Sequence, residues 1–130
     1  MIKLVIFDAG GVLYEGSAEI VERAVREFLA KHGVNEVGKS NEVWQEVERL
    51  LSVGKMNLRE AHERWLEGVG LSKSLADEWE EADKNRIWKR FRRTAGINGL
   101  LGRLKKKYAL AVLSDTIDSR QEKIEKMKIV

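Results

Sequence analysis

The sequence contains no cysteine and no proline, and only two histidines among 130 residues. The lack of cysteine excludes disulfides, thiolate nucleophiles and cysteine metal sites, and His32 and His62 alone cannot complete a zinc site. No stretch reaches the ~18 apolar residues of a membrane span, and the apolar run at the N-terminus is too short for a signal peptide. We therefore expect a cytoplasmic protein with no membrane partner.

A large excess of one charge is also missing. Lysine and arginine number 24, aspartate and glutamate 21, and the formal net charge is +3. So weak a field does not favour a nucleic-acid partner, and the basic cluster within residues 84–93 lies near a predicted helix end, where the helix dipole alone favours cations. High charge density without cysteine fits a heat-adapted protein, whereas the missing proline argues against one.

Two apolar runs predict β-strands. Residues 2–7 and 108–113 are almost continuously apolar, which is typical of strands buried on both faces of a parallel sheet. The first run ends at Asp8 and the second at Ser114. Because ligands of open parallel sheets bind beyond the carboxyl ends of the strands, these two residues mark the expected site.

Four amphipathic segments between the strands predict α-helices. They cover residues 17–31, 40–53, 58–68 and 72–91. The third begins with a capping box formed by Asn57 and Glu60. All four tryptophans lie in this block at helical spacing, which predicts a packed core rather than an aromatic ligand cage. Beyond it, the pattern predicts a short helix around residues 100–104 and a closing helix over residues 119–128.

The order of these elements predicts an α/β fold with a helical insertion. Residues 1–15 and 94–130 would form a partial Rossmann-like core with parallel strands. Residues 16–93 would form an inserted domain of four helices. The two strands alone make a smaller sheet than such a core requires.

The residues at the strand ends resemble two motifs of the haloacid dehalogenase (HAD) superfamily. The strand followed by residues 8–13, Asp-Ala-Gly-Gly-Val-Leu, is similar to the first motif, Asp-x-Asp-x-Thr/Val, and the strand ending in Ser114 is similar to the second. The helical block resembles the small C1 cap, with Gly-Lys-Met-Asn at residues 54–57 where members commonly read Gly-Lys-Ile-Thr/Ser. Residues 96–101 resemble the segment before the second motif.

This resemblance implies a magnesium-dependent phosphatase that acts on a small phosphorylated metabolite. Asp8 would attack phosphorus to form an aspartyl-phosphate, which water then hydrolyses. The Asp8 carboxylate and the Gly10 carbonyl would bind Mg²⁺. The Ser114 hydroxyl and the amides of Gly11 and Asp115 would hold phosphate oxygens, although Asp115 could equally cap the helix that follows.

Two departures from the family pattern leave alternatives open. Gly10 replaces the second aspartate of the first motif, which is the family's acid and base, and the chain ends at Val130, before the third and fourth motifs. We therefore expect the front portion of a longer protein, inactive as it stands. One alternative is a non-catalytic fragment or pseudoenzyme that self-associates. The other is a 2-haloacid dehalogenase-type hydrolase, less favoured because that branch usually has a bulky aromatic residue in place of Gly10.

Overall fold

The computed structural model describes residues 1–15 and 17–114, which divide into two compact units. Residues 1–18 and 90–114 of the described chain belong to the first unit, and residues 19–89 form the second. The predicted domain boundaries, at 15/16 and 93/94, stay predictions. Asp115 and the predicted closing helix lie outside the described residues. No helix in the described ranges is long and apolar enough to cross a membrane.

The first unit contains a two-stranded parallel sheet. Strand β1 (Leu4–Phe7) pairs with the strand Ala109–Val112, in a register that runs from Leu4 opposite Ala109 to Phe7 opposite Val112. Both strands lie within the predicted apolar runs, and the predicted α/β class with parallel strands is confirmed. The apolar alternation along each strand decides which face is buried.

The prediction that these strands are buried on both faces is wrong for β1. Leu4 and Ile6 are 49% and 55% exposed. Phe7, on the other face, packs with Val112 and Leu101 against a core that includes Ile97. Residues 97 and 101 belong to the helix Ile97–Lys105. Within residues 1–15 and 17–114, only this side of the sheet is covered, and so β1 is apolar on both faces but buried on one.

A second pair of strands joins the two ends of the helical insertion. Strand β2 (Tyr14–Glu15) runs antiparallel to strand β3 (Arg92–Arg93), with Tyr14 opposite Arg93 and Glu15 opposite Arg92. The Tyr14 ring stacks on Phe91, with ring centroids 5.3 Å apart. Sequence analysis missed these strands because two residues carry no readable alternation. By chain order, Ala109–Val112 is β4.

The second unit is helical, and three of its four predicted helices are confirmed with small shifts. The helices are α1 (Ser17–Lys31), α2 (Val37–Ser52), α3 (Leu58–Gly68) and α4 (Ala76–Ala82), so that Ile97–Lys105 becomes α5. The predicted capping box is present: the Glu60 amide donates to Asn57 Oδ1 at 2.8 Å, and the Asn57 amide donates to Glu60 Oε2 at 3.0 Å.

The fourth predicted helix is not continuous. A 3₁₀ turn, Lys73–Leu75, precedes α4, and a π turn, Asp83–Ile87, and a 3₁₀ turn, Trp88–Arg90, follow it. The apolar residues Ala82 and Ile87 are five positions apart, one more than an α-helical turn allows. A π turn supplies the extra residue and lets Ile87 reach a buried position.

Aromatic side chains form the core of the helical unit, as the tryptophan spacing predicts. Trp65 and Trp79 are buried, and their ring centroids lie 4.9 Å apart, while Phe28 of α1 lies 5.2 Å from Trp79. The Trp65 indole donates a hydrogen bond to the buried Ser40 hydroxyl at 3.0 Å. Because the indole N–H and the hydroxyl oxygen are hydrogen-bonded to each other, burying these two polar groups costs the protein little stability.

Ion pairs connect α4 with the helices on either side of it. Arg59 of α3 donates to Asp77 at 2.6 Å and to Glu80 at 3.1 Å, and these carboxylates raise the pKa of the Arg59 guanidinium above its ordinary value. A hydrogen bond from Lys31 of α1 lowers the pKa of Glu78 below its ordinary value. Any stability gained from Glu78 is therefore present above its ordinary pKa and is lost on acidification.

Gly68 of α3 lies directly against the Val43 side chain of α2. A Cβ atom on Gly68 would lie 2.5 Å from Cγ1 of Val43, whereas a Cβ on Gly38 of α2 would meet no atom within 4 Å. Glycine is a poor helix former, so the packing of Val43 against the bare backbone is the physical reason for its place in α3.

We predict opposite effects of alanine at these two glycines. Gly68→Ala should destabilise the protein by about 1–3 kcal/mol, because the clash with Val43 exceeds the gain in helix propensity. The control Gly38→Ala should leave stability unchanged or raise it by up to about 1 kcal/mol. Urea unfolding followed by tryptophan fluorescence measures both. Adding Val43→Ala should recover part of the loss, and equal stabilities of the two alanine variants would contradict the assignment.

Candidate active site

The predicted site residues follow two neighbouring strand ends. Asp8 comes directly after β1, and Ser114 comes two residues after β4. The hydrogen bond from the Leu113 amide to the Phe7 carbonyl, 2.9 Å long, continues the parallel ladder to this point. The structure therefore brings Asp8 and Ser114 to the same edge of the sheet. Asp8 is exposed and Ser114 is half-buried.

A tight turn fixes the backbone after Asp8. The Ala9 carbonyl accepts hydrogen bonds from the amides of Leu13 at 2.9 Å, Val12 at 3.2 Å and Tyr14 at 3.4 Å. Ala9 and Leu13 are buried in the core of the first unit, so apolar packing anchors the turn on both sides. Asp8 Oδ1 accepts from the Ala9 amide at 2.8 Å. The turn thus orients the carboxylate while leaving it accessible to solvent.

The two glycines of this turn have different conformations. Gly11 has φ +75°, in the left-handed region that favours glycine, and its amide donates to the Tyr14 carbonyl at 2.8 Å. A phosphate held by the Gly11 amide would have to share or replace this bond. Gly10 is outside the left-handed region, and a Cβ on it would lie 3.7 Å from Tyr14 Oη. The backbone therefore does not require glycine at position 10.

Thr94 ties this turn to the far end of the helical insertion. Its hydroxyl donates to the Val12 carbonyl at 2.6 Å, and its amide donates to the Leu13 carbonyl at 3.0 Å. Sequence analysis did not identify Thr94 because it is distant in sequence and belongs to no motif. Its place beside the turn follows from the pairing of β2 with β3, because Thr94 comes directly after β3.

Basic side chains dominate the later part of the first unit. Residues 90–114 contain no aspartate or glutamate, and their cations are Arg90, Arg92, Arg93, Arg103, Lys105, Lys106 and Lys107. Such an uneven distribution attracts anions over several ångströms. The formal net charge of the whole chain hides it, because the helical unit carries most of the acidic residues.

One cavity of this unit does not include the predicted site residues. It has a volume of about 600 Å³ and lies along β4 and α5, where Phe7, Leu101, Lys105 and Tyr108 are among the lining residues. Asp8, Gly10 and Ser114 do not line it. We therefore place the candidate site at the open strand ends and not in this cavity.

The oxygen atoms near Asp8 fit a magnesium ion. Mg²⁺ in enzymes usually keeps several waters and takes one or two protein oxygens together with substrate phosphates. The Asp8 carboxylate and the carbonyl of exposed Gly10 offer two such oxygens, and no backbone amide of a described residue donates to that carbonyl. Residues 1–15 and 17–114 contain no group of three or more acidic or histidine side chains that could hold a metal without water.

A family model of haloacid dehalogenase-like hydrolases matches residues 2–126. The chain belongs to this family. The comparison with curated proteins gives no match. The family and fold expected from residues 8–13 and 114 are thereby confirmed. The match describes the activity of the family only as that of a HAD-like hydrolase.

Solved structures of HAD proteins share the fold. The HAD-hydrolase YfnB from Bacillus subtilis, bound to magnesium, matches with TM-score 0.69 and 13% identity over 98% of this chain and 60% of its own. A protein described as a beta-phosphoglucomutase from Thermotoga maritima matches with TM-score 0.62 and 19% identity over 99% and 56%. The defluorinating L-2-haloacid dehalogenase Rha0230 matches with TM-score 0.59 and 18% identity over 96% and 56%.

These structural neighbours inform the fold of the chain and not its substrate. Their identities to this chain establish the fold alone, and the chain spans less than two thirds of their length. The roles of Asp8, Gly10, Gly11 and Ser114 stay predictions, and Asp115 lies outside the described residues.

We predict that the Thr94 hydroxyl stabilises the turn beside Asp8. Thr94→Val keeps the shape of the side chain but removes the donor to the Val12 carbonyl, which should cost about 1 kcal/mol. Thr94→Ser keeps the hydroxyl and should lose less. Chemical denaturation of the three proteins measures the difference. Equal midpoints for the valine variant and the wild type would show that the bond contributes nothing.

Proposed function

We propose that this HAD-like hydrolase is a magnesium-dependent phosphatase of a small phosphorylated metabolite, with Asp8 as the nucleophile. The observation that carries the proposal is the meeting of Asp8 and Ser114 at one edge of the parallel sheet. Because the chain spans only part of its structural neighbours, the proposal concerns the activity of the protein that contains it.

The chemistry follows from the groups at the strand ends. An oxygen of the Asp8 carboxylate attacks phosphorus, the bond to the leaving oxygen breaks, and an aspartyl-phosphate forms, which water then hydrolyses. The Ser114 hydroxyl donates a hydrogen bond to a phosphate oxygen. When Mg²⁺ is bound by the Asp8 carboxylate and the Gly10 carbonyl, its charge offsets the repulsion between carboxylate and phosphate.

Gly10 favours a phosphatase over the haloacid dehalogenase alternative. The resemblance to the HAD superfamily places a bulky aromatic residue here in most dehalogenases, and this chain has no side chain at the position. The dehalogenase among the structural neighbours is 18% identical and supports the fold only. Release of halide from 2-haloacids, with no release of phosphate from phosphomonoesters, would reverse this preference.

We predict that Asp8→Asn, made in the longer protein that contains this chain, abolishes phosphatase activity without unfolding the protein. The amide cannot act as the nucleophile, so turnover of p-nitrophenyl phosphate at saturating Mg²⁺ should fall at least about 10³-fold. The thermal midpoint should change little, because Asp8 is exposed.

The control is Asp77→Asn, which removes one carboxylate from the helical unit. It should keep its activity, because Asp77 pairs with Arg59 and lies outside the unit that carries Asp8. If Asp8→Asn retains more than about a tenth of wild-type turnover, Asp8 is not the nucleophile.

A second candidate function is a non-catalytic chain that associates with a second copy of itself. One face of the β1–β4 sheet favours it: Leu4 and Ile6 are about half exposed, and Leu113 is 72% exposed. Among the described residues, the outer edges of β1 and β4 pair with no strand. Apolar strands with unpaired edges are a common template for pairing between chains.

We predict that the 130-residue chain forms dimers or larger species and that Ile6→Lys shifts it towards the monomer. A charge on the exposed face of β1 opposes burial of that face. The control is Val53→Lys, which replaces a similarly exposed apolar residue of the helical unit and should change nothing. Light scattering measures the mass, and a dilute, salt-independent wild-type monomer would exclude self-association.

A further inference from the structure

The turn after Asp8 returns Tyr14 to the side of Gly10. Gly10 and Tyr14 form a backbone bridge, closed by the hydrogen bond from the Gly11 amide to the Tyr14 carbonyl. A Cβ atom placed on Gly10 would lie 3.7 Å from Tyr14 Oη and 4.0 Å from Tyr14 Cζ. The hydroxyl of Tyr14 is therefore nearer to that position than the rest of its ring.

Position 10 is where the family pattern has its second aspartate. A carboxylate there would extend two bonds beyond Cβ, which brings its oxygens within hydrogen-bond reach of a group 3.7 Å from Cβ. The Tyr14 hydroxyl thus borders the space that the aspartate would fill. A tyrosine hydroxyl carries a proton that it can donate, and tyrosine is a known general acid and base.

We propose that the Tyr14 hydroxyl serves as the proton donor in place of the aspartate that Gly10 replaces. This inference rests on the proposed phosphatase activity. As the bond between phosphorus and the leaving oxygen breaks, the Oη proton passes to that oxygen and the alcohol leaves. In the second step, the water that attacks the aspartyl-phosphate gives a proton to the tyrosinate, the Asp8 carboxylate is released, and inorganic phosphate forms.

A substitution at Tyr14 can keep its ring and remove its hydroxyl. Its ring is buried and stacks on Phe91 with an interplanar angle of 12°. Stacking needs the ring alone, so Tyr14→Phe keeps the contact with Phe91 and removes only the hydroxyl. Tyr108 is the other tyrosine of the chain and lies at the opposite end of β4 from Ser114, which makes Tyr108→Phe a matched control.

The first test compares two substrates with different leaving groups. Glycerol 3-phosphate has a poor leaving group and needs a proton donor, whereas p-nitrophenyl phosphate has a good one. Tyr14→Phe should lower kcat for glycerol 3-phosphate about 10²-fold or more and leave kcat for p-nitrophenyl phosphate nearly unchanged. Tyr108→Phe should change neither. Equal effects of Tyr14→Phe on both substrates, or no effect on either, would overturn the proposal while p-nitrophenyl phosphate turnover upholds the phosphatase.

The second test restores a carboxylate. Position 10 accepts a side chain at ordinary contact distance, so Gly10→Asp combined with Tyr14→Phe should recover glycerol 3-phosphate turnover, and Gly10→Asn combined with Tyr14→Phe should not. The donor would then be a carboxyl group, which loses its proton at a lower pH than a phenol does. As the pH is raised, the rate of the double variant should therefore begin to fall at a lower pH than the rate of the wild type. Failure to recover in a folded double variant contradicts the proposal. If the wild-type form of the longer protein that contains this chain is inactive on both substrates, the phosphatase and this inference are overturned together.

Discussion

The parallel pairing of β1 with β4 is the interaction on which the first unit depends. It joins residues from the two ends of the described chain, through hydrogen bonds from the Ala109 amide to the Lys3 carbonyl and from the Leu113 amide to the Phe7 carbonyl. Parallel strands place their carboxyl ends together, so this pairing alone makes neighbours of Asp8 and Ser114. The proposed nucleophile and the proposed phosphate-binding hydroxyl are brought together by the sheet and by no motif that is local in sequence.

The turn after Asp8 converts that pairing into a site. Ala9 and Leu13 bury their side chains, and the Ala9 carbonyl collects the amides that close the turn. Thr94 holds the same turn from the other end of the insertion. The geometry beside Asp8 is therefore determined by buried apolar side chains and backbone hydrogen bonds, while the charged group itself remains at the surface. This division lets the Asp8 carboxylate face water without loosening its support.

Most of the architecture could be predicted from the sequence because it is recorded in local patterns. Helical periodicity located α1, α2 and α3, and Asn57 with Glu60 marked a helix start. The pairing of Tyr14 with Arg93, the role of Thr94 and the approach of Tyr14 to Gly10 could not be predicted, since each depends on contacts made only after the chain has folded. The exposure of Leu4 and Ile6 could not be predicted. An apolar run shows that both faces of a strand are suited to burial, but it does not show whether another element packs on each face.

The antiparallel pairing of Glu15 with Arg92 has a consequence for how the gene can change. The chain leaves and rejoins the first unit at paired strands, and the helical unit, residues 19–89, forms a closed loop between them. The entropy of closing such a loop grows only with the logarithm of its length. A shorter, longer or unrelated segment could replace the helical unit without disturbing the strand pairing beneath it. The β2–β3 pair is thus a position at which one core can be joined to different insertions.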